Sequence, residues 1–366
     1  MKSSLRGVIQ EARKSQSDSI ADETEFQTQK PRIVVTGIGG GGNNTIDRIA
    51  SEGLTGVEMI AVNTDQNHLK EVNSDKKIPI GGGVTDGRGT GGRPVLGRKA
   101  AENSREKFKN LFRGSDLVFL ACGLGGGTGT GGAPVLAEIA KSEGALVTGV
   151  VTMPFEVEKR EKTAQEGLKK LRKHTDTVIV IDNNRLSEMA SGLPMRYAFT
   201  MADEILSQIL KGITETIMTP SLINLDFADI EAIIEDGNIM MVGTGEAKGP
   251  KRVEKSVRQA LECPLLGDID YSTAKGVIMH VSGKDVSISE ANEVGNIVKD
   301  HVNPQAQRIL GARIDRSLGD TFQTILLISG ASSPHLLGPA SDERAQYKGE
   351  YSRKADSSVN LNIGYL

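Results

Sequence analysis

Cysteine is nearly missing from this chain: Cys122 and Cys263 are the two among 366 residues. That excludes a disulfide framework, leaves any Cys-rich zinc site short of ligands and fits a reducing cytoplasm. Long apolar runs are lacking too. None approaches the roughly 18 residues of a membrane span, and residues 1–19 lack the hydrophobic centre of a secretory signal, so neither membrane insertion nor export is expected. Charge of one sign is not in excess: 44 Lys and Arg face 47 Asp and Glu, for a net of −3. No whole-chain field favours nucleic acid or an anionic bilayer. Histidine is scarce and scattered. His68, His174, His280, His301 and His335 show no metal-type spacing, and they read as surface or boundary positions rather than as a base.

Glycine, by contrast, is abundant. The chain has 43, about 12% against an average near 7%, and residues 37–42, 81–97 and 123–132 hold 20 of them. Such clustering marks loops built for close approach rather than low complexity.

At roughly 100 to 200 residues per domain, the length suggests two domains. Residues 1–30, rich in Ser, Gln, Lys and Glu, read as a flexible N-terminal extension. From residue 33 the β-branched run Ile33-Val34-Val35-Thr36 enters the first glycine stretch, and helix-compatible spacing follows over 44–50. Further short apolar runs at 59–62, 117–121, 146–151 and 177–181 suit a parallel sheet covered by helices. The pattern over 195–219 predicts a long helix ended by Pro220. Beyond it, runs at 239–242, 277–281, 307–314 and 324–328 alternate with helical patterns at 252–261 and 289–301. The expected fold is α/β: a Rossmann-like parallel-sheet domain over 31–220, joined by a long central helix to a smaller α+β domain over 221–331. Residues 332–366 turn polar before an apolar end at 359–366, and they read as a linker carrying a docking peptide.

The first glycine stretch satisfies GxGxxG, and Asp65 follows the second strand where a dinucleotide fold places its ribose carboxylate. Alone, this suggests a dehydrogenase. The third stretch, running from Gly123 to Gly132 between a strand and the helical pattern 133–143, is a second phosphate cradle. Consecutive glycines let backbone N–H groups converge on phosphate oxygens, Thr128 and Thr130 add hydroxyls, and the following helix adds its positive end. No lysine stands where an ordinary P-loop needs one. Charge neutralisation falls to backbone dipoles and Mg²⁺.

The string Gly125-Gly126-Gly127-Thr128-Gly129-Thr130-Gly131 resembles the signature of the tubulin/FtsZ family of assembling GTPases, and Asn224-Leu225-Asp226-Phe227-Ala228-Asp229 resembles that family's synergy loop. The likeness runs from about residue 32 to 330 and is nearer the archaeal cell-division members than eukaryotic tubulin. It implies GTP and GDP as ligands, with phosphates at Gly126, Gly127, Thr128, Gly129 and Thr130. It places Gly40, Gly41, Asn44, Asn63 and Asp65 at the nucleotide, and Thr90, Gly91 and Gly92 in the loop that senses the γ-phosphate. Asn183, Phe199 and Asp203 correspond to the base-holding amide, aromatic and polar group. The spacing agrees, since positions i and i+4 share a helix face, and a carboxylate accepts from the N1–H and the exocyclic amine of guanine, a donor pair that adenine lacks.

Two departures stand out. Arg93 occupies the position where the family's γ-phosphate loop has asparagine. The ribose motif after Pro154-Phe155 is two residues short: Arg160 keeps its place, and either Glu156 or Glu158 takes the acidic position.

Asp226 and Asp229 lie three apart at a helix start, where capping alone would favour them. In the family this loop completes the site of the neighbouring subunit, which implies that Asn224, Asp226 and Asp229 orient the attacking water. The resemblance thus implies a GTPase activated by head-to-tail homopolymerisation, cytoplasmic and placed at the mid-cell division site, with a membrane-anchoring adaptor as partner of the C-terminal peptide. The alternatives are a nicotinamide oxidoreductase, which leaves 224–229 unexplained, and a non-catalytic GTP-binding scaffold or cell-shape regulator.

Overall fold

The computed structural model describes residues 31–54, 56–189, 195–218, 227–235, 239–266 and 269–331. The N-terminal extension, Thr219, Pro220, Asn224, Asp226 and the tail with its docking peptide lie outside these residues.

Strand β1 (Ile33–Ile38) is buried at every position and runs directly into helix α1 (Gly39–Ser51). Strand β2 (Val57–Asn63) and the short helix α2 (Gln66–Glu71) follow, then β3 (Lys76–Pro79) and the paired helices α3 (Pro94–Glu102) and α4 (Arg105–Phe112). Strand β4 (Leu117–Gly123) feeds α5 (Thr128–Ser142), β5 (Leu146–Met153) feeds α6 (Glu161–Arg172), and β6 (Thr177–Asp182) feeds α7 (Asn183–Met189). These strands lie in the order β3-β2-β1-β4-β5-β6, all parallel. That is the doubly wound order, with the direction of winding reversing between β1 and β4.

The glycine runs differ from the expectation of loops. Helix α1 begins at Gly39, inside the first run, and α5 begins at Thr128, inside the third. Glycine disfavours helix by about 1 kcal/mol, but contact distance overrides propensity here. A Cβ on Gly42 would stand 2.1 Å from the Ala121 carbonyl oxygen, and one on Gly131 would stand 2.0 Å from that of Pro94. No larger residue lets these backbones meet.

The central helix α8 (Met195–Met218) is 24 residues long, roughly 36 Å at 1.5 Å per residue. Its inward stripe Ala202, Ile205, Leu206, Ile209, Leu210 and Ile213 is buried, the i, i+3, i+4 spacing of an amphipathic helix. At one end Phe199 packs on Phe155, just past β5. At the other, Met218 lies against Gly56, just ahead of β2. The helix therefore carries the chain from the C-terminal edge of the parallel strands to their N-terminal edge.

Helix α9 (Phe227–Glu235), β7 (Ile239–Lys248), α10 (Arg252–Leu261), β8 (Gly276–Gly283), α11 (Ile288–His301), β9 (Gln307–Ile314) and β10 (Thr321–Ser329) complete the described fold. Strands β7, β10, β8 and β9 form a mixed sheet in that order. It continues the parallel sheet through two residue pairs between β6 and β7, Val178 with Ile239 and Ile179 with Met240. Among the described residues no helix is long and apolar enough to cross a membrane, and both cysteines are buried free thiols.

Candidate functional site

Because β1 and β4 are adjacent and parallel, with Gly37 opposite Ala121, the glycine runs that follow them leave the sheet side by side at the point of topological reversal. Open α/β sheets bind ligands in that crevice. The two helices that start there are prepared for an anion. Neither α1 nor α5 has a side-chain N-cap or an acidic residue in its first turn, so their first N–H groups and the positive ends of their dipoles are left for a ligand. Two helices elsewhere are capped by side chains: Asp65 accepts from the N–H groups of Asn67 and His68, and Ser287 forms a capping box with Glu290, whereas α3, α4, α6 and α10 have no side-chain cap bond.

Around these helix starts the residues expected at phosphate converge. Gly40, Gly41 and Asn44 are exposed on the opening turns of α1, Gly126 is half-buried, and Gly127, Thr128 and Gly129 are buried. The Thr128 and Thr64 hydroxyls stand 2.7 Å apart, tying the loop after β2 to that after β4. Buried Asn63 takes the Asp65 N–H on its Oδ1 at 3.1 Å. Thr130 sits deeper, with its Cγ2 against Gly167 of α6. The loop with Gly91 and Gly92, both at positive φ, is seated by buried Thr90. Arg93 is exposed, and its Nε donates to the Thr90 carbonyl at 3.4 Å.

Of the three residues expected at the base, Phe199 and Asp203 lie near the start of the central helix. Phe199, 42% exposed, meets buried Phe155 edge to face at 4.8 Å between ring centroids, which leaves a ring face for stacking. Asp203 follows one turn on. Burial pushes its carboxyl up to about 6, while the Arg48 guanidinium and a hydrogen bond from Thr45 pull the other way. Asn183 is buried at the start of α7. The structure also separates the two glutamates near the ribose position. Glu158 accepts from the Phe155 N–H at 3.0 Å and lies 3.7 Å from Arg160. Glu156 is exposed, its backbone N–H fixed by Asn184 Oδ1 at 2.8 Å. Arg160 flanks the third glycine run, with its Cβ 3.0 Å from the Cβ position of Gly125.

One expected catalytic residue stands apart. Asp229 is exposed in the first turn of α9, whose Ile233 packs against Gly276 at the start of β8. Gly276 pairs with Ser329, Ser329 with Met240, and Met240 with Ile179 near the start of β6. Asp229 thus belongs to the N-terminal edge of the sheet, opposite the glycine cradle. Asn224 and Asp226 lie outside the described residues.

Sequence reasoning missed His68. It is not a detached boundary residue: its ring contacts Asn44 and Asn63, and its Cε1 lies 4.0 Å from the Cβ position of Gly40. The available signal was its spacing three residues after Asp65, where a capped helix turns back over its own cap.

These features define an α/β protein of the nucleotide-binding class, with glycine-rich helix starts at its topological reversal. Comparison with known proteins narrows the class. The family model described as the Tubulin/FtsZ family, GTPase domain, matches residues 32–191, and that of the FtsZ family, C-terminal domain, matches 237–332. The chain is 48% identical over 312 residues to "Cell division protein FtsZ 2" of Methanocaldococcus jannaschii, covering 84% of this chain and 82% of that protein. It is 45% identical over 325 residues to "Cell division protein FtsZ 1" of Thermococcus kodakarensis, covering 88% and 86%. The solved structure described as an empty FtsZ dimer from M. jannaschii superposes with a TM-score of 0.80 at 46% identity, covering 82% of this chain and 89% of that one. The chain belongs to the FtsZ family and is a GTP-hydrolysing cell-division protein.

Proposed function

We propose that this GTPase polymerises head to tail and that each bound GTP is hydrolysed with acids lent by the next subunit. One observation carries the reading: the glycine cradle and Asp229 lie on opposite edges of the same parallel sheet, so one molecule cannot bring them together. Stacking a second copy in the same orientation places one edge on the other, a heterologous contact that repeats into an open filament. The relative solved as a dimer supports self-association.

In this reading Gly40, Gly41, Gly126, Gly127, Thr128 and Gly129 hold the phosphates, with Thr130 supporting them from below. Asn63 and Asp65 fix the loop beside them. Thr90, Gly91 and Gly92 close over the γ-phosphate. Phe199 stacks on the base while Asp203 and Asn183 read its edge, and Glu156 and Arg160 meet the ribose. Asn224, Asp226 and Asp229 of the neighbouring copy position water for in-line attack. Phosphoryl transfer asks for positioning and charge stabilisation rather than covalent help. Among the described residues no three metal-ligating side chains converge. The Thr128 hydroxyl, paired with that of Thr64, would lie beside a Mg²⁺ brought in with the nucleotide, and the ion would neutralise phosphate charge.

The site of action in this reading is the cytoplasmic face of the mid-cell division ring, reached through a membrane-anchoring adaptor that binds residues 359–366. Deleting 355–366 should spare polymerisation and abolish recruitment to the membrane. The central test measures released phosphate per molecule against protein concentration, with GTP and Mg²⁺. Specific activity that rises with concentration supports shared catalysis; a flat profile refutes it.

A further inference from the structure

The polar side chains beside the first glycine run form a chain whose direction is set by a group that cannot flip. The backbone N–H of Asp65 only donates, and it reaches Asn63 Oδ1 at 3.1 Å. That fixes the Asn63 amide, so its Nδ2 is the atom facing His68 Nδ1 at 3.3 Å. An amide nitrogen donates, so Nδ1 accepts and the imidazole proton sits on Nε2. Nε2–H then donates to Asn44 Oδ1 at 3.1 Å. With its oxygen occupied, Asn44 is left to present its NH₂, two donors, from an exposed position one turn into α1.

We infer that His68 is a positioning residue of the nucleotide site: as a neutral imidazole protonated on Nε2, it turns the Asn44 amide so that its donors, not its acceptor, meet the nucleotide's anionic oxygens. The inference rests on the reading that Asn44 contacts the nucleotide. The ring is held for this work from two sides. The His68 backbone N–H is bonded to Asp65 Oδ1 at 3.2 Å, and the ring edge lies over Gly40. Inverting the Asn44 amide would aim a carbonyl oxygen at phosphate and replace attraction by repulsion, so the contribution is to ligand affinity rather than to the fold.

The test uses the full chain below its assembly concentration, titrated with a fluorescent GTP analogue and with its GDP counterpart. Glutamine places an amide nitrogen near the position of histidine Nε2, whereas asparagine reaches only as far as Nδ1. His68→Ala and His68→Asn should each weaken both nucleotides about tenfold, the worth of a hydrogen bond to a charged group, while His68→Gln stays within about twofold of the parent. In an Asn44→Ala background, His68→Ala should cost nothing further, since coupled residues are non-additive. The relay is overturned if His68→Ala binds normally, if the Gln and Ala variants lose affinity equally, or if the His68→Ala loss persists undiminished beside Asn44→Ala. Normal binding by Asn44→Ala alone would instead discard the contact on which the relay rests. Thermal melting of each variant separates misfolding from lost affinity.

Discussion

Thr90 Oγ1 lies 2.0 Å from the point where a Cβ on Gly127 would stand, and the Arg93 backbone nitrogen lies 2.7 Å from the same point. The loop expected to sense the γ-phosphate is therefore seated directly on the residue that caps α5. Gly97 seals the seam one turn further on, where its own Cβ would stand 2.2 Å from the Gly127 carbonyl oxygen. The two loops are thus in direct backbone contact.

Gly127→Ala should consequently displace the 90–93 loop without unfolding the sheet. Forcing one extra carbon into such a contact costs about 1–3 kcal/mol. GTP affinity should fall by at least about tenfold, while secondary structure by circular dichroism stays unchanged. Equal binding by the variant would show that the seam does not shape the cradle.

Asp203 predicts a pH dependence whose sign follows from its raised carboxyl, up to about 6 from 3.8. Guanine needs the ionised form as acceptor. GTP affinity should be level above pH 6 and fall by up to about tenfold per pH unit below it. Stability moves the other way, because the folded state binds the proton more readily than the unfolded one and this residue's contribution grows as pH falls from 6 toward 3.8. Asp203→Asn should therefore stabilise the protein at pH 7 by on the order of 2 kcal/mol and abolish GTP binding, since its amide can present a donor to donors. Urea melts and nucleotide titration on the same variant check both halves.

The parallel sheet was legible because its strands are buried on both faces and read as unbroken apolar runs, Ile33 to Thr36 and Leu117 to Ala121 among them. The long helix was legible through its 3.6-residue stripe. The strand Lys76–Pro79 was not, since an edge strand with one buried residue carries almost no periodic signal. The glycine runs were expected as loops and in part form helix, because helix propensity cannot register that Gly42 must clear the Ala121 carbonyl. His68 escaped for a similar reason: its partners Asn44 and Asn63 come from separate elements that meet only after β1 and β2 have paired.

His280, on β8, is fully enclosed beneath the central helix, where its ring meets Gly212 and shares a cavity with Ile209, Ile213 and Ile230. Burial lowers its imidazole to about 4, against a smaller opposing pull from Asp315. The unfolded chain takes up this proton near pH 6.5 and the folded chain only near 4. The stability contribution is full above 6.5 and drains away as pH falls toward 4, a loss of roughly 2 kcal/mol by pH 5. His280→Leu should flatten urea-denaturation stability between pH 7 and 5 relative to the parent. A His280→Leu variant whose stability changes between pH 7 and 5 just as the parent's does would contradict the assignment.

Asp229 decides between shared and solitary catalysis. Its helix is anchored by Ile230, Ile233 and Ile234, all buried, while the carboxylate itself is exposed, so Asp229→Ala removes charge without opening a cavity. The variant should bind GTP with parental affinity, because the cradle on the opposite edge is untouched. It should also sediment as filaments with GTP and lose turnover by at least about 100-fold, the scale of a group that orients an attacking nucleophile. Mixing makes the test sharper. In an open head-to-tail filament each variant subunit spoils the site of its neighbour and not its own, so variant chains defective in GTP binding, Gly127→Ala for example, should restore hydrolysis on adjoining Asp229→Ala chains by supplying an intact acid. Phosphate release from such a mixture above the sum of its two components measured alone requires a site divided between molecules, and a mixture no more active than that sum excludes one.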